Sequence, residues 1–387
     1  MAISSIISCK KVNQSSITGT NIYPGPDGPG ATIKINGSGF GNNPAGVAVY
    51  FNGVKGTIDS CSDSVLLVVI PAGASTGILT ITSPGHQPYK SSTDHVILTG
   101  TWIKKANFPG VPRSYAASFS INNIGYIATG ADINATALTD MYAYDPGADS
   151  RSKKANLPGP PRSLAFGMTI WNNGYLIGGW TDPSNGQQYL LDVWEYDPAT
   201  DSWTQKNNFP GNPKIWAGGF AIGNIAYYGL GYEGPNSHPV DWWQYDPTAD
   251  GWTRKADFPH ILYSLNYGFS IGGTGYLLIY GNYQNWYSYD TTADQWAAKT
   301  PNPAYIDANG MSFTVGNQGY YLTRTGFFNQ TWVYDAPTDS WSRNTSPNVM
   351  RAGGVGVVMN TRLYIGLGSL DALPYGSWPT DWWEFQP

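Results

Sequence analysis

The phrase YDPATDSW at 196–203 keeps returning along the chain, and its return constrains the fold more than any other feature. YDPGADSR stands at 144–151, YDPTADGW at 245–252, YDTTADQW at 289–296 and YDAPTDSW at 334–341. A shortened form, FQP, occupies 385–387. The first aromatic of the phrase is a ruler: Tyr144, Tyr196, Tyr245, Tyr289, Tyr334 and Phe385, at steps of 52, 49, 44, 45 and 51 residues. A Gly-Tyr-like pair keeps the same register, its aromatic falling at Tyr126, Tyr175, Tyr227, Tyr276, Tyr320 and Tyr364. So does the Trp that ends the phrase, at Trp203, Trp252, Trp296 and Trp341, with Arg151 once in its place. Three markers in register at this period mean an array of supersecondary units.

Each unit reads as four short strands. In the second unit these are RSLAFGMTI, YLIGG, DVWEYDP and SWTQKNNFP, with turns at WNNG and PATD. No helical period is sustained. A lone four-stranded sheet leaves both faces bare, whereas six packed radially cover one another, so the expected architecture is all-β and propeller-like. TWIKKANFPG at 101–110 matches the fourth strand SWTQKNNFPG at 202–211. DWWEFQP at 381–387 matches the third strand DWWQYDP at 241–247. An N-terminal strand around Trp102 should therefore complete the last blade and close a six-bladed ring over residues 100–387.

Residues 101–387 resemble kelch repeats, the six-bladed relatives of the galactose oxidase propeller. The resemblance rests on PRS at 112–114 and 161–163, on Gly178-Gly179, and on the tyrosines and tryptophans above. The Gly pair decays to Thr129-Gly130, Leu230-Gly231 and Leu367-Gly368, and Thr323-Arg324 replaces it in blade five. Residues 15–99 have another texture, Gly-rich and without the phrase. IKINGSGF, the V-x-V-x-F-N-G segment at 47–53 and the V-x-I-P strand end at 68–71 resemble a TIG/IPT domain, an immunoglobulin-like β-sandwich. Such a domain is expected to serve as a spacer or rigid shoulder, with a carbohydrate- or partner-binding module as the alternative.

Charged residues make up 12% of the chain and the net charge is −5, which argues against a nucleic-acid partner. No apolar run approaches the roughly 18 residues of a spanning helix. The cysteines are Cys9 and Cys61, and sequence alone leaves a disulfide between them open. In the tail at 1–14, IISCKK resembles the end of a bacterial lipoprotein signal, which implies Cys9 as a lipidation site and localisation at the outer surface. MAISSII is too short for a whole signal, so a clipped start is expected, with a cytosolic chain carrying a free thiol as the alternative.

Aromatics locked to the period are read as packing between blades, and Asp197 and Asp201 as holding a turn. The lysines three after the Trp position charge the outer edge. In an up-and-down blade, the second-to-third and fourth-to-first loops share one face. A ring of residues falls there: Arg113, Arg162, Lys214, Tyr263, Asp307 and Arg351. The loops add Trp180, Asp182, Tyr189, Tyr232, Glu233, His238, Asp371, Tyr375 and Trp378, with Trp216 beside them. Variable loops on a rigid scaffold are where function sits, and aromatic rings with polar neighbours suit sugars.

Copper-radical chemistry of the galactose oxidase kind is not expected, because residues 101–387 hold no Cys for a Tyr cross-link and only His238 and His260. A glycosidase needs facing carboxylates, for which Glu233 with Asp182 or Asp371 is the pairing on offer. Some bacterial kelch propellers are sialic acid mutarotases, and that resemblance implies Glu233 acting with Arg113, Arg162 or Arg351. The favoured expectation is a monomeric, non-catalytic surface protein without metal or cofactor, binding a glycan or a protein on the loop face. A protein-interaction scaffold of the cell envelope and the mutarotase-like enzyme are the alternatives.

Overall fold

A computed structural model describes residues 16–387 except 24–27, 96, 99, 183, 185, 187, 235–236, 238, 261–265, 280–285, 304–309, 326–327, 348–350 and 371–376. The chain forms two compact units that divide between Gly100 and Thr101. In the first, one antiparallel sheet runs in the order Thr18–Tyr23, Thr32–Ser38, Val65–Val69, Thr57–Cys61. The other runs Val54–Lys55, Ala48–Phe51, Gly77–Thr82, Tyr89–His95. Side chains alternate faces along a strand, so every second residue turns inward. Ile33, Ile35, Leu66 and Val68 from one sheet meet Val49, Phe51, Leu79 and Ile81 from the other in a single core.

The second unit is six four-stranded antiparallel sheets. Blade two is typical: Phe166–Ile170, Asn173–Ile177, Val193–Asp197 and Ser202–Lys206. The first strands pack on one another around the ring. Second strands are buried almost throughout, and fourth strands are largely exposed. Thr101–Lys105 pairs with Trp382–Gln386, with Trp102 opposite Phe385, so an N-terminal strand completes the sixth blade. One expectation shifts. The first strand of blade two begins at Phe166, four residues after Arg162, because Leu164 sits in the left-handed region at φ 60° and breaks the extended backbone.

The repeated phrase is a clamp between neighbouring blades. Its Tyr hydroxyl donates to the Asp five residues on, as in Tyr196 to Asp201 at 2.7 Å and Tyr245 to Asp250 at 2.7 Å. That Asp does not close its own turn, as the sequence suggested. It accepts the backbone N–H of the previous blade instead: Ala155 to Asp201 at 3.0 Å, Asn207 to Asp250 at 3.0 Å and Ala256 to Asp294 at 2.9 Å. The Trp then donates its indole N–H to the carbonyl of the same residue, Trp203 to Ala155 at 3.0 Å and Trp296 to Ala256 at 3.0 Å. Both polar groups of one residue are thereby satisfied by the next blade. Turn closure falls to the earlier Asp, with Asp197 accepting from Ala199 N–H at 2.8 Å. Arg151 in the Trp position donates to Ala106 O at 2.5 Å and stacks over Tyr144 at 4.3 Å and Trp382 at 5.2 Å. Burial pushes its guanidinium down to about 10, against the pull of Tyr144 and Asp149.

Aromatic rings fill the gaps between blades. Trp286 lies 5.3 Å from Tyr276 in its own blade and 5.0 Å from both Tyr334 and Trp341 in the next. Each such pair adds about 0.5–1.5 kcal/mol to its area burial. The Gly of the Gly-Tyr pair has a steric cause. A Cβ on Gly174 would stand 2.2 Å from the Phe119 ring, and one on Gly275 would stand 1.9 Å from Phe220. The neighbouring blade's Phe occupies the space a side chain would need.

Candidate functional site

The basic ring faces inward. Arg113 is buried, and its guanidinium meets Asp140 two-pronged at 2.6 and 2.8 Å while donating to Thr129 O at 2.9 Å. Arg162 repeats this with Asp192 at 2.6 and 2.6 Å and Gly178 O at 2.9 Å. Arg351 reaches Asp381 at 2.6 Å and Leu367 O at 3.3 Å. The same carboxylates accept the indole N–H two residues on, as in Trp194 to Asp192 at 2.6 Å and Trp383 to Asp381 at 2.8 Å. Geometry of this kind is strong and leaves a guanidinium few free donors. Arg113, Arg162, Lys214 and Arg351 thus tie the entry of each blade to its third strand. This corrects their assignment to ligand contact, since these side chains are buried, at most 2% exposed, and bonded to the aspartates of their own blades.

Blade three carries Lys214 in place of Arg. Its ammonium binds Asp241 at 2.5 Å and Glu233 at 3.1 Å. Glu233 also accepts from Asn212 Nδ2 at 3.2 Å and Ser237 Oγ at 2.9 Å, which anchors the loop. Of the residues in the mutarotase-like expectation, Glu233 is paired with Lys214 and each Arg with the Asp of its own blade. Asp182 is buried and accepts Ala137 N–H at 2.7 Å and Ser184 Oγ at 2.6 Å, joining the loops of blades one and two.

What faces outward is bulky and largely apolar. Two residues after the basic ring stand Tyr115, Leu164 and Trp216, at φ 54°, 60° and 54°. Bulky side chains in that region are rare and cost about 1–3 kcal/mol each. A backbone chain holds the turn: Tyr115 N–H donates to Gly353 O at 2.8 Å, and Leu164 N–H to Tyr115 O at 2.9 Å. All three residues line a cavity of about 410 Å³ walled by the first strands of five blades and by Trp216 and Ala217 just before the first strand of blade three, which places it at the ring's centre. No charged side chain lines it among the described residues.

From Trp216 the aromatics continue outward. Its ring lies 5.6 Å from Tyr232, which lies 6.5 Å from Tyr189. Tyr189 is joined by backbone pairing to Trp180, and Trp180 to Ser163. All four rings are half-buried. Burial, with Tyr232 nearby, raises the Tyr189 phenol above its ordinary value. Trp378 is half-buried in the blade-six loop. The sequence singled out Trp180, Tyr189, Trp216 and Tyr232 but missed Tyr115 and Leu164; their constant offset of two from Arg113 and Arg162 was the available signal. Cys9, Tyr263, Asp307, Tyr375, His238 and Asp371 lie outside the described residues.

Residues 16–96 match the IPT/TIG domain, and residues 175–210 match the kelch motif. Among solved structures, the one described as the structure of YjhT is similar over 72% of this chain and 96% of that chain, with a TM-score of 0.59 at 18% identity. At that identity the likeness speaks for the fold, which does not by itself carry a function. No curated protein matches the chain in sequence.

Proposed function

We propose that this chain, an IPT/TIG domain followed by a kelch-repeat propeller, is a non-catalytic binding protein that takes a glycan on the loop-bearing end of the propeller. One observation carries the reading. Trp216 is held at φ 54° on the rim of the central cavity and continues into Tyr232 and Tyr189. Strained backbone persists where its surroundings over-determine it, and aromatic platforms are what the apolar faces of sugars stack on. The engagement of Glu233, Asp182, Asp192 and Asp241 in structural bonds favours binding over acid–base chemistry.

The test is calorimetric titration of the full chain with a panel of neutral, acidic and amino glycans. Tyr189→Ala, Trp216→Ala and Tyr232→Ala should each weaken a hit by at least about tenfold, or 1.4 kcal/mol. Unchanged affinity in all three variants would refute the site. A second reading, a protein partner on the same end, is favoured by Ile133 and Val111, apolar side chains 53% and 47% exposed on its loops. Soluble sugar should compete away a glycan and leave a protein partner bound. Anchoring through a lipidated Cys9, with display at the cell surface, belongs to the same proposal. Expressed from its own gene, Cys9→Ser should leave the membrane fraction.

A further inference from the structure

We infer that the ligand's leading unit is uncharged and hydroxyl-bearing, and that it seats in the central cavity beneath Trp216. This rests on the proposed glycan reading and narrows it. The argument begins with charge. An anion entering the cavity would leave water and find no lysine or arginine among the described lining residues, and a cation would find no carboxylate. The basic side chains of the ring, Arg113, Arg162, Lys214 and Arg351, are buried and already paired with their own aspartates. An unpaired charge in such a site is strongly disfavoured.

The wall then specifies hydrogen-bond polarity. Three lining hydroxyls spend their hydrogens across blade boundaries: Ser118 Oγ on Gly356 O at 2.9 Å, Thr169 Oγ1 on Ser120 O at 2.7 Å, and Ser312 Oγ on Gly268 O at 3.3 Å. Thr169 Oγ1 already accepts Ser120 N–H at 3.2 Å, whereas the oxygens of Ser118 and Ser312 accept from no donor among the described residues and so offer acceptors to whatever enters. A matching ligand brings O–H donors. At the rim the polarity reverses, because the Trp216 indole N–H is buried and has no acceptor among the described residues. A donor left this way is costly unless a ligand oxygen meets it. A volume of about 410 Å³ suits one small unit, near the lower end of the roughly 300–1,000 Å³ of small-molecule sites. Neutral, donor-rich, compact and presenting one acceptor to an indole describes a terminal neutral sugar or a polyol.

The experiment is titration calorimetry on the full chain with matched trios of hexoses in the gluco, galacto and manno series: the neutral sugar, its uronate and its 2-amino sugar. Wild type is compared with Trp216→Phe, which keeps a ring but loses the N–H, and Ser118→Ala, which keeps the backbone but loses a wall acceptor. The neutral member of a binding trio should exceed both charged members by at least about a hundredfold. Each variant should weaken it by about three- to tenfold. A uronate or amine that binds as tightly as the neutral sugar overturns the inference, as does undiminished affinity in both variants. In either case, if Tyr189→Ala and Tyr232→Ala still weaken binding, the glycan reading survives. Absence of binding by every member of every trio overturns the inference, and a wider panel that is also silent removes the glycan reading with it.

Discussion

Arg162→Ala separates the two roles an arginine at the entry of a kelch-type blade could have. The side chain makes four hydrogen bonds: to Pro160 O at 3.1 Å, to Gly178 O at 2.9 Å and to Asp192 at 2.6 and 2.6 Å. Its removal leaves Asp192, 13% exposed, with the Trp194 indole as its remaining side-chain donor among the described residues. Stranding one partner of a buried pair costs about 3–5 kcal/mol, a large share of the roughly 5–15 kcal/mol that holds a folded protein. For a large domain each kcal/mol lowers the melting midpoint by about 2–4 °C, so a loss near 10 °C is expected. Arg162→Lys should fall between, since an ammonium keeps the charge but cannot span both carboxylate oxygens. Arg162→Met with Asp192→Leu should recover part of the loss by removing both charges. Near-ultraviolet circular dichroism against temperature at pH 7 reads all three. A midpoint unchanged in Arg162→Ala, with weakened ligand binding, would refute blade closure and return the arginine to the ligand.

Acid should weaken the inter-blade clamp. Asp201, Asp294 and Asp339 lie below the ordinary 3.8; burial alone would raise them, but the Tyr hydroxyl, the neighbouring blade's N–H and a lysine outweigh it. A depressed pKa contributes stability above the ordinary value that is lost as pH falls through the folded one. The melting midpoint should therefore hold from pH 7 to about 5 and drop below about 4, less steeply in Asp201→Asn; equal slopes would count against the clamp. Trp171, 64% exposed at φ 55°, occupies a turn position filled by Asn122, Gly223, Gly272, Gly316 and Asn360 in the other blades. Trp171→Gly should raise stability by about 0.5–1 kcal/mol in urea unfolding, and a fall would show that the indole has a partner. Gly275→Ala should destabilise by about 1–3 kcal/mol, because its methyl meets the Phe220 ring; a neutral result would mean the ring can move.

The propeller was legible because the phrase, the Gly-Tyr pair and the Trp are separate constraints with one period. The closing strand was legible because Trp102 and Phe385 carry the fourth-strand and third-strand signatures at opposite ends of the repeat array. The direction of the Asp201 bond was not, since a turn carboxylate can serve its own loop or the next blade, and distance along the chain does not choose. The basic ring misled for a related reason: Arg113 and Arg162 look available until their partners are known. Those partners were visible as a correlation. Arg113, Arg162, Lys214 and Arg351 go with Asp140, Asp192, Asp241 and Asp381, whereas blade five has Asp307 at the ring position and Gln330 at the carboxylate position. The rim at Tyr115, Leu164 and Trp216 was hidden, because those residue types do not announce a left-handed backbone.

The closing blade lacks half of the clamp. Gly100, at φ 91°, stands two before Trp102 where the other blades place an Asp, and Phe385 has no hydroxyl to offer one. Trp102 still donates to Thr345 O at 3.1 Å, but the Thr345 N–H turns to the side chain of its neighbour Asn344 at 2.7 Å. Thr101 pairs opposite Gln386, so tension applied through residue 100 and residue 387 pulls both partner strands from the same end. Such a load breaks ladder bonds one after another instead of shearing them together. Under force the molecule has a mechanical fuse: the closing strand peels first, and the five continuous blades are spared until it has gone.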